Sequence, residues 1–245
     1  MKNGPSVIGR PISFREILLE APKDIYRREF RDIVRALKPE SILEIGCGRG
    51  GFLRSLEGWN GKFTGIDPDA ECIAELKEQG FDAHVGAAER LAFESSAFDL
   101  AVFSYSAHHI GDWAVALNEA MRVARRAVAI IDPWHDETIP SQKVAGDYDR
   151  WGKAIDRLTG EVNNDWFDIA ALSRPLHGKP MQVSYAYRLI LADADLAEMA
   201  ADAEDQLAKV PGESMRLRPM LEDIFVRARR DGITDNGAIL ATFIK

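Results

Sequence analysis

A glutamate inside an apolar run, a glycine turn directly after it and an aspartate further on are residue types that can hold a nucleoside-like ligand. In Ser41-Ile-Leu-Glu-Ile-Gly-Cys-Gly-Arg-Gly-Gly-Phe52, the residues Ile42, Leu43 and Ile45 make the short apolar run of a buried parallel strand. Gly46, Gly48 and Gly50, with Cys47 among them, let the backbone turn tightly and come close to a ligand. Residues 51–57 read as the first turns of a helix, whose free N–H groups would face that ligand. Gly46, Gly48 and Gly51 also satisfy G-x-G-x-x-G, and Asp67 lies at the distance expected of a ribose-binding acid, so spacing alone admits a dinucleotide. Glu44 separates the alternatives. A carboxylate within a strand costs burial free energy unless it has a partner, and a pyrophosphate offers none. A ligand with an ammonium group at that end does, and S-adenosyl-L-methionine carries one together with a ribose, an adenine and no phosphate.

The elements that position these residues alternate. Strands are expected at 41–45, 62–66, 82–85, 98–104 and 126–131, with helices over 23–37, 51–57, 70–79 and 113–124. Tyr26, Phe30, Ile33, Val34 and Leu37 share a face of the first helix, where Tyr26 reads as core packing, and Pro39 ends it. Asp112 is placed to cap the helix from 113, Asp69 can cap the helix from 70, and Gly80 stops that helix. Such alternation predicts an α/β fold: a doubly wound, mostly parallel sheet of about seven strands with helices on both faces. Asp67 then sits at a strand tip, where ligands collect in such sheets.

At these blocks the chain resembles the class I S-adenosylmethionine-dependent methyltransferases, in particular the small-molecule branch that includes the quinone-biosynthesis enzymes. Glu44-Ile-Gly-Cys-Gly-Arg-Gly50 is similar to that family's E-x-G-C-G-x-G, and Phe63-Thr-Gly-Ile-Asp67-Pro-Asp69 to its second strand with the ribose acid. Gly86-Ala-Ala-Glu-Arg-Leu-Ala-Phe93 resembles its G-D-A-E-x-L-P-F block, and Phe98 to Ile110 its fourth strand with the loop that faces the reactive methyl. The resemblance covers roughly 41–132. It implies a Rossmann-like core with S-adenosyl-L-methionine as cofactor and S-adenosyl-L-homocysteine as product. The implied cofactor residues are Glu44, Gly46, Cys47, Gly48, Gly50, Asp67, Pro68, Ala88, Glu89, Ser104 and Tyr105. His108 and His109 become the candidate acid–base groups, since imidazole suits removal of a hydroxyl proton near neutral pH. Ala87 departs from the family's acid at that position, so adenine recognition falls to backbone at Ala88 and Glu89. N-P-P-[YF], common among amide and nucleobase N-methyltransferases, is absent, which points to O- or C-methylation.

The 245 residues, 46% of them hydrophobic, suffice for one substantial core. A net charge of −8 argues against a nucleic-acid partner. Two cysteines suggest neither a disulfide framework nor a zinc cluster. Neither a signal-peptide core nor a membrane-spanning segment is apparent, so a cytoplasmic enzyme with a small-molecule substrate and no membrane partner is expected. A single domain is read as lid helices over 1–40, the cofactor core over 41–132, an inserted helical substrate cap over 134–180, and C-terminal strands and helices over 181–245. Residues 1–12 read as loose or lid-like, and Phe14 could close over the cofactor. In 134–180 the periodicity is weak. His135, Asp136 and Glu137 look like a metal trio on paper, but adjacent positions rarely converge on one ion, so a solvated loop and no metal are expected. Residues 181–191 suggest a strand, and 193–210 an acidic helix with Asp195 and Glu198 in capping-box spacing. The stripe from Leu217 to Ala228 reads as helix core, and 238–244 as the strand at the sheet edge. Rival readings are an NAD(P)-dependent oxidoreductase and a non-catalytic nucleoside-binding protein on the same fold. Oligomeric state and the acceptor are not written in any motif.

Overall fold

The computed structural model describes residues 21–56 and 58–245, so the expectations for residues 1–12 and for Phe14 fall outside it. Seven strands form one sheet: β1 (Ser41–Ile45), β2 (Lys62–Asp67), β3 (Ala83–Val85), β4 (Phe98–Ser104), β5 (Ala124–Trp134), β6 (Gln182–Arg188) and β7 (Gly237–Ile244). Their order is β3-β2-β1-β4-β5-β7-β6. The first five are parallel, and β7 runs antiparallel to both β5 and β6. This is the expected doubly wound, mostly parallel α/β sheet. From β1 the chain first moves outward to β2 and β3, then returns to place β4 on the other side of β1. The strand order therefore reverses between β1 and β4, and the crevice at their carboxyl ends is where such sheets bind ligands.

The helices are α1 (Pro22–Ala36), α2 (Gly51–Ser55), α3 (Ala70–Glu78), α4 (Trp113–Val123), α5 (Pro140–Leu158), α6 (Ile169–Ser173), α7 (Leu196–Ala208) and α8 (Ser214–Asp231). Alternate strand residues face opposite sides. Ile42, Leu100, Val102 and Ile131 thus pack with Tyr26, Phe30 and Val34 of α1. Leu43, Ala101, Phe103, Val128 and Ile130 pack on the other face with Trp113, Ala116, Leu117 and Ala120 of α4. Four aspartates start helices by accepting backbone amides: Asp69 from Glu71 and Cys72, Asp112 from Val115, Asp168 from Ala171, and Asp195 from Ala197 and Glu198.

One part of the C-terminal half differs from the sequence expectation: β7 is not the sheet edge. It is inserted between β5 and β6, and β6 is the edge strand. The burial explains this: Ala238 to Phe243 are covered on both faces, whereas Gln182 to Tyr185 are exposed. A strand buried on both sides reads as a near-continuous apolar run, which Ala238-Ile-Leu-Ala-Thr-Phe-Ile244 is. The stretch of weak periodicity over 134–180 contains the 19-residue helix α5. Gly146 and Gly152 lower its local propensity, but a Cβ on Gly146 would lie 2.8 Å from the Trp166 ring, so packing asks for glycine there. Val144, Trp151 and Ile155 of α5 join Ala203 and Leu207 of α7 and Leu217, Leu221 and Ile224 of α8 in a third apolar cluster.

Candidate active site

The glycine turn leaves β1 at the point of strand reversal. Gly46, Gly48 and Gly50 all have positive φ (73°, 48° and 78°), which L side chains resist. At Gly46 space is also closed, because a Cβ would lie 2.5 Å from Ser106 Cβ. Ser106 in turn donates to the Ile45 carbonyl at 2.7 Å, tying the loop after β4 to the tip of β1. Cys47 is buried with its Sγ against Gly65, and burial together with the charges of Glu44 and Asp67 pushes its thiol up to about 12.

Glu44 is 2% exposed, and its Oε2 has no hydrogen-bond partner. Burial and the nearby Asp67 carboxylate hold its carboxyl well above the usual range, offset in part by the Leu53 amide. Arg49 of the glycine turn pairs with Glu75 of α3. Glu44 lines a cavity of about 420 Å³ together with Gly46, Cys47, Gly48, Ser104 and Tyr105. Its floor is Phe30 of α1 against Phe52 of α2, with ring centroids 5.5 Å apart. Two cations from the first turns of α1, Lys23 and Arg27, complete the lining. They lie 5.1 and 5.3 Å from the centroid of the Tyr105 ring, and Arg27 also reaches Asp24 at 3.5 Å. Burial and Arg27 lower the Lys23 ammonium. Tyr105 has a φ of 55°, its hydroxyl is buried without a partner, and burial pushes the pKa of that hydroxyl up, which disfavours its ionisation.

Asp67 closes the neighbouring tip. Its Oδ2 accepts the Gly48 amide at 2.7 Å and its Oδ1 the Asp69 amide at 2.9 Å. Because Asp69 caps α3, Asp67 is released from that task, and each carboxylate oxygen keeps a lone pair for another donor. Pro68 follows it, exposed. Gly86 donates to the Asp67 carbonyl at 3.0 Å, which brings the next block alongside. There Ala88 is buried and Glu89 accepts the Asp112 amide at 3.2 Å, so its side chain supports the start of α4.

His108 and His109 lie on one turn of 3-10 helix after β4, their rings 4.1 Å apart. The two differ sharply. His108 is buried, with Nδ1 2.8 Å from Oδ1 of Asp132, a residue of β5 with no exposure. His109 is exposed, and its Nδ1 lies 3.0 Å from the Val162 carbonyl. Burial and the neighbouring His108 lower its protonation. The segment after α5 is clipped to this turn, with the Asn164 amide donating to the His108 carbonyl and its side-chain amide to that of Ile110, both at 2.8 Å.

Comparison with known proteins fits this geometry. The family model described as a methyltransferase domain matches residues 43–131, which hold the glycine turn, Glu44, Asp67 and the histidine pair. Over these residues the chain is similar to that family. In sequence, the chain is 30% identical over 138 residues to an uncharacterized 37.1 kDa protein in transposon TN4556 of Streptomyces fradiae, covering 51% of this chain. It spans 40% of that relative's length. Among solved structures, the YcgJ protein of Bacillus subtilis superposes with a TM-score of 0.64 at 17% identity, covering 90% of this chain and 98% of that one. A cyclopropane-fatty-acyl-phospholipid synthase-like protein of Lactobacillus casei gives 0.63 at 15% identity, covering 92% and 94%. A SAM-dependent methyltransferase of Archaeoglobus fulgidus gives 0.56 at 15%, covering 95% and 98%. At these identities the structural likeness establishes the fold.

Three residues at the candidate site are absent from the sequence reading. Lys23 and Arg27 are four apart in the first turns of α1, a spacing that puts both on one face, but nothing local tied that face to Glu44. Asp132 ends the apolar run of β5 as Asp67 ends that of β2, and this acid-at-the-tip pattern was the available signal. Of the paper metal trio, His135 is buried rather than solvated. Its ring lies 4.6 Å from that of Trp166, and its Nε2 is 3.9 Å from Asp149, which pairs with the buried Lys153 at 2.7 Å. Burial lowers His135 to about 4, Asp149 opposing the shift and Lys153 assisting it. Asp136 and Glu137 turn elsewhere, to Thr138 and to Arg150. No group of metal-binding side chains occurs among the described residues, and no described helix is long and apolar enough to cross a membrane.

Proposed function

We propose that this chain transfers a methyl group from S-adenosyl-L-methionine to a small-molecule acceptor, at oxygen or carbon, and releases S-adenosyl-L-homocysteine. The observation that carries this reading is the buried carboxyl of Glu44, whose Oε2 has no partner, in the cavity at the β1–β4 reversal. A buried acid oxygen left unpaired is costly, and an ammonium group at that point removes the cost. Lys23 and Arg27 on the same cavity offer the complementary charge for a carboxylate, so the lining matches an amino-acid zwitterion. A pyrophosphate would find Glu44 repulsive, which disfavours the NAD(P) alternative. The net charge of −8 likewise favours a small molecule over a nucleic acid.

When bound, the cofactor supplies a methyl carbon on a sulfonium centre, open to in-line displacement. The chain's part is to bind, align and exclude water. In this reading Glu44 takes the amino group, Lys23 and Arg27 the carboxylate, and Asp67 the two ribose hydroxyls. Backbone at Ala88 and Glu89 flanks the adenine, while Ser104 and Tyr105 wall the cofactor beside the histidine turn. The helices α5 and α6 over 134–180 would shape the acceptor's chamber. Titration calorimetry with S-adenosylhomocysteine tests the reading, with micromolar binding expected. A thermal-shift comparison in which NAD and not S-adenosylhomocysteine raises the melting point would overturn it.

A further inference from the structure

We infer that two copies of this chain associate through the outer edge of the sheet. In that dimer β6 pairs antiparallel with β6 of the second copy about a two-fold axis at Tyr185, independently of any bound ligand.

An edge strand presents a row of unpaired backbone N–H and C=O groups. Proteins blunt such edges with short strands, lysine, proline, bulges or a covering element. The edge at β3 is blunted by its length of three residues. The edge at β6 carries none of these devices. Its seven residues, Gln182-Val-Ser-Tyr-Ala-Tyr-Arg188, include neither lysine nor proline. Its pairing with β7 runs without a bulge, from Gln182 opposite Ile244 to Arg188 opposite Ala238. The one charge on the strand is engaged within the chain, because the Arg188 guanidinium donates to Glu29 of α1 at 2.8 and 2.9 Å. No described strand lies beyond β6, and Val183 and Tyr185 are 41% and 53% exposed. An unbroken edge with exposed apolar side chains is a template for another strand.

Self-complementarity selects a second copy as the occupant. With the axis at Tyr185 the strands overlap over their whole length, and Tyr185 faces its own counterpart. Val183 then faces Tyr187, and Ser184 faces Ala186. At the ends the neutral amide of Gln182 faces Arg188, so no like charges are opposed. Aromatic and β-branched pairs stabilise antiparallel sheets, whereas like charges directly opposite destabilise them. Moving the axis to a neighbouring residue leaves the strand ends unpaired. Val183, Tyr185 and Tyr187 alternate onto one face. There Tyr187 packs on Trp134 at 4.3 Å and Tyr185 on Tyr187 at 5.9 Å, so the aromatic row of one copy continues into that of the other. On the opposite face Ser184 and Ala186 are small and leave a cavity of about 230 Å³ against Ile33 and Leu37 of α1.

The test uses the full chain. Sedimentation equilibrium between about 1 and 100 µM should show a monomer–dimer equilibrium, as suits an interface at the small end of the range. Tyr185→Lys sets two like charges against each other at the axis and should raise the dissociation constant at least about 10-fold. Its circular dichroism should match that of the unaltered chain. Oxidation of cysteine variants reads the register, since Cys47 and Cys72 are both buried. Tyr185→Cys lies on the axis and should link into a covalent dimer. Val183→Cys should not, because its two copies would stand about 14 Å apart. A monomer throughout that concentration range, a dimer that Tyr185→Lys leaves intact, or equal linking by the two cysteine variants overturns the proposal. Should Tyr185→Lys not fold, the cysteine variants decide.

Discussion

Gly48 donates its amide hydrogen to Asp67 Oδ2 at 2.7 Å, so the turn after β1 and the acid at the tip of β2 form one unit. The other oxygen of Asp67 takes the Asp69 amide at the entrance to α3. The carboxylate thus sets the shape of the loop before any ligand arrives, which lowers the ordering cost of binding.

Asp67→Ala removes the acceptor of both amides as well as the proposed ribose contact. Hydrogen bonds to a charged group are worth about 1.5–3 kcal/mol each, so calorimetry should show at least about a 10-fold weaker affinity for S-adenosylhomocysteine. Asp67→Asn, which keeps one acceptor oxygen, should fall in between. Unchanged affinity in the alanine variant would remove Asp67 from the site.

Glu44→Gln should separate folding from binding. In the unfolded chain this carboxyl ionises in the ordinary range near 4.5, whereas in the fold burial and Asp67 keep it protonated to higher pH. The folded state then binds more protons, so stability falls as pH rises above about 4.5. Without a ligand, Glu44→Gln should melt at an equal or higher temperature at neutral pH and show a flatter pH dependence. Its affinity for S-adenosylhomocysteine should drop about 10-fold or more, since a desolvated charge pair is lost. A variant that binds as well as the parent contradicts the assignment of Glu44 to the ammonium group.

Gly46→Ala meets two obstacles, a φ of 73° and a Cβ 2.5 Å from Ser106 Cβ. Denaturant unfolding should show a loss of about 2 kcal/mol or more. Adding Ser106→Gly should recover the steric part and leave the conformational part. Gly48→Ala, whose Cβ would have nothing within 4 Å, should cost only the latter, about 1–2 kcal/mol.

His135 should make stability fall on acidification. Its folded-state value of about 4 lies below the ordinary 6.5, so the unfolded chain takes up the proton first as pH drops. The stability this residue contributes is complete above about pH 6.5 and is lost between there and about 4, which amounts to about 2 kcal/mol between pH 7 and pH 5. Urea unfolding at the two pH values should show that difference, and His135→Gln should shrink it. The Asp149–Lys153 pair remains in the variant, so a change confined to the slope is expected.

What could be read along the chain was whatever neighbouring residues settle among themselves. The glycine turn, the caps at Asp69, Asp112 and Asp195, and the strands from Ser41 to Ser104 follow from local backbone preference and from apolar periodicity. Gly146 shows the limit: it lowers helix propensity within α5, and only the Trp166 ring that packs on it explains its presence.

Sequence by itself determined the doubly wound class, the tip positions of Glu44 and Asp67, and the histidine turn, because each is encoded within a few residues. Tertiary structure alone decided that β7 slots between β5 and β6, that Lys23 and Arg27 share a cavity with Glu44, and that Asp132 rather than solvent faces His108. These are pairings between segments far apart in the chain. Their choice depends on which strand tips and helix ends the folded sheet gathers at one edge, and on burial that makes an unpartnered charge too costly to leave alone.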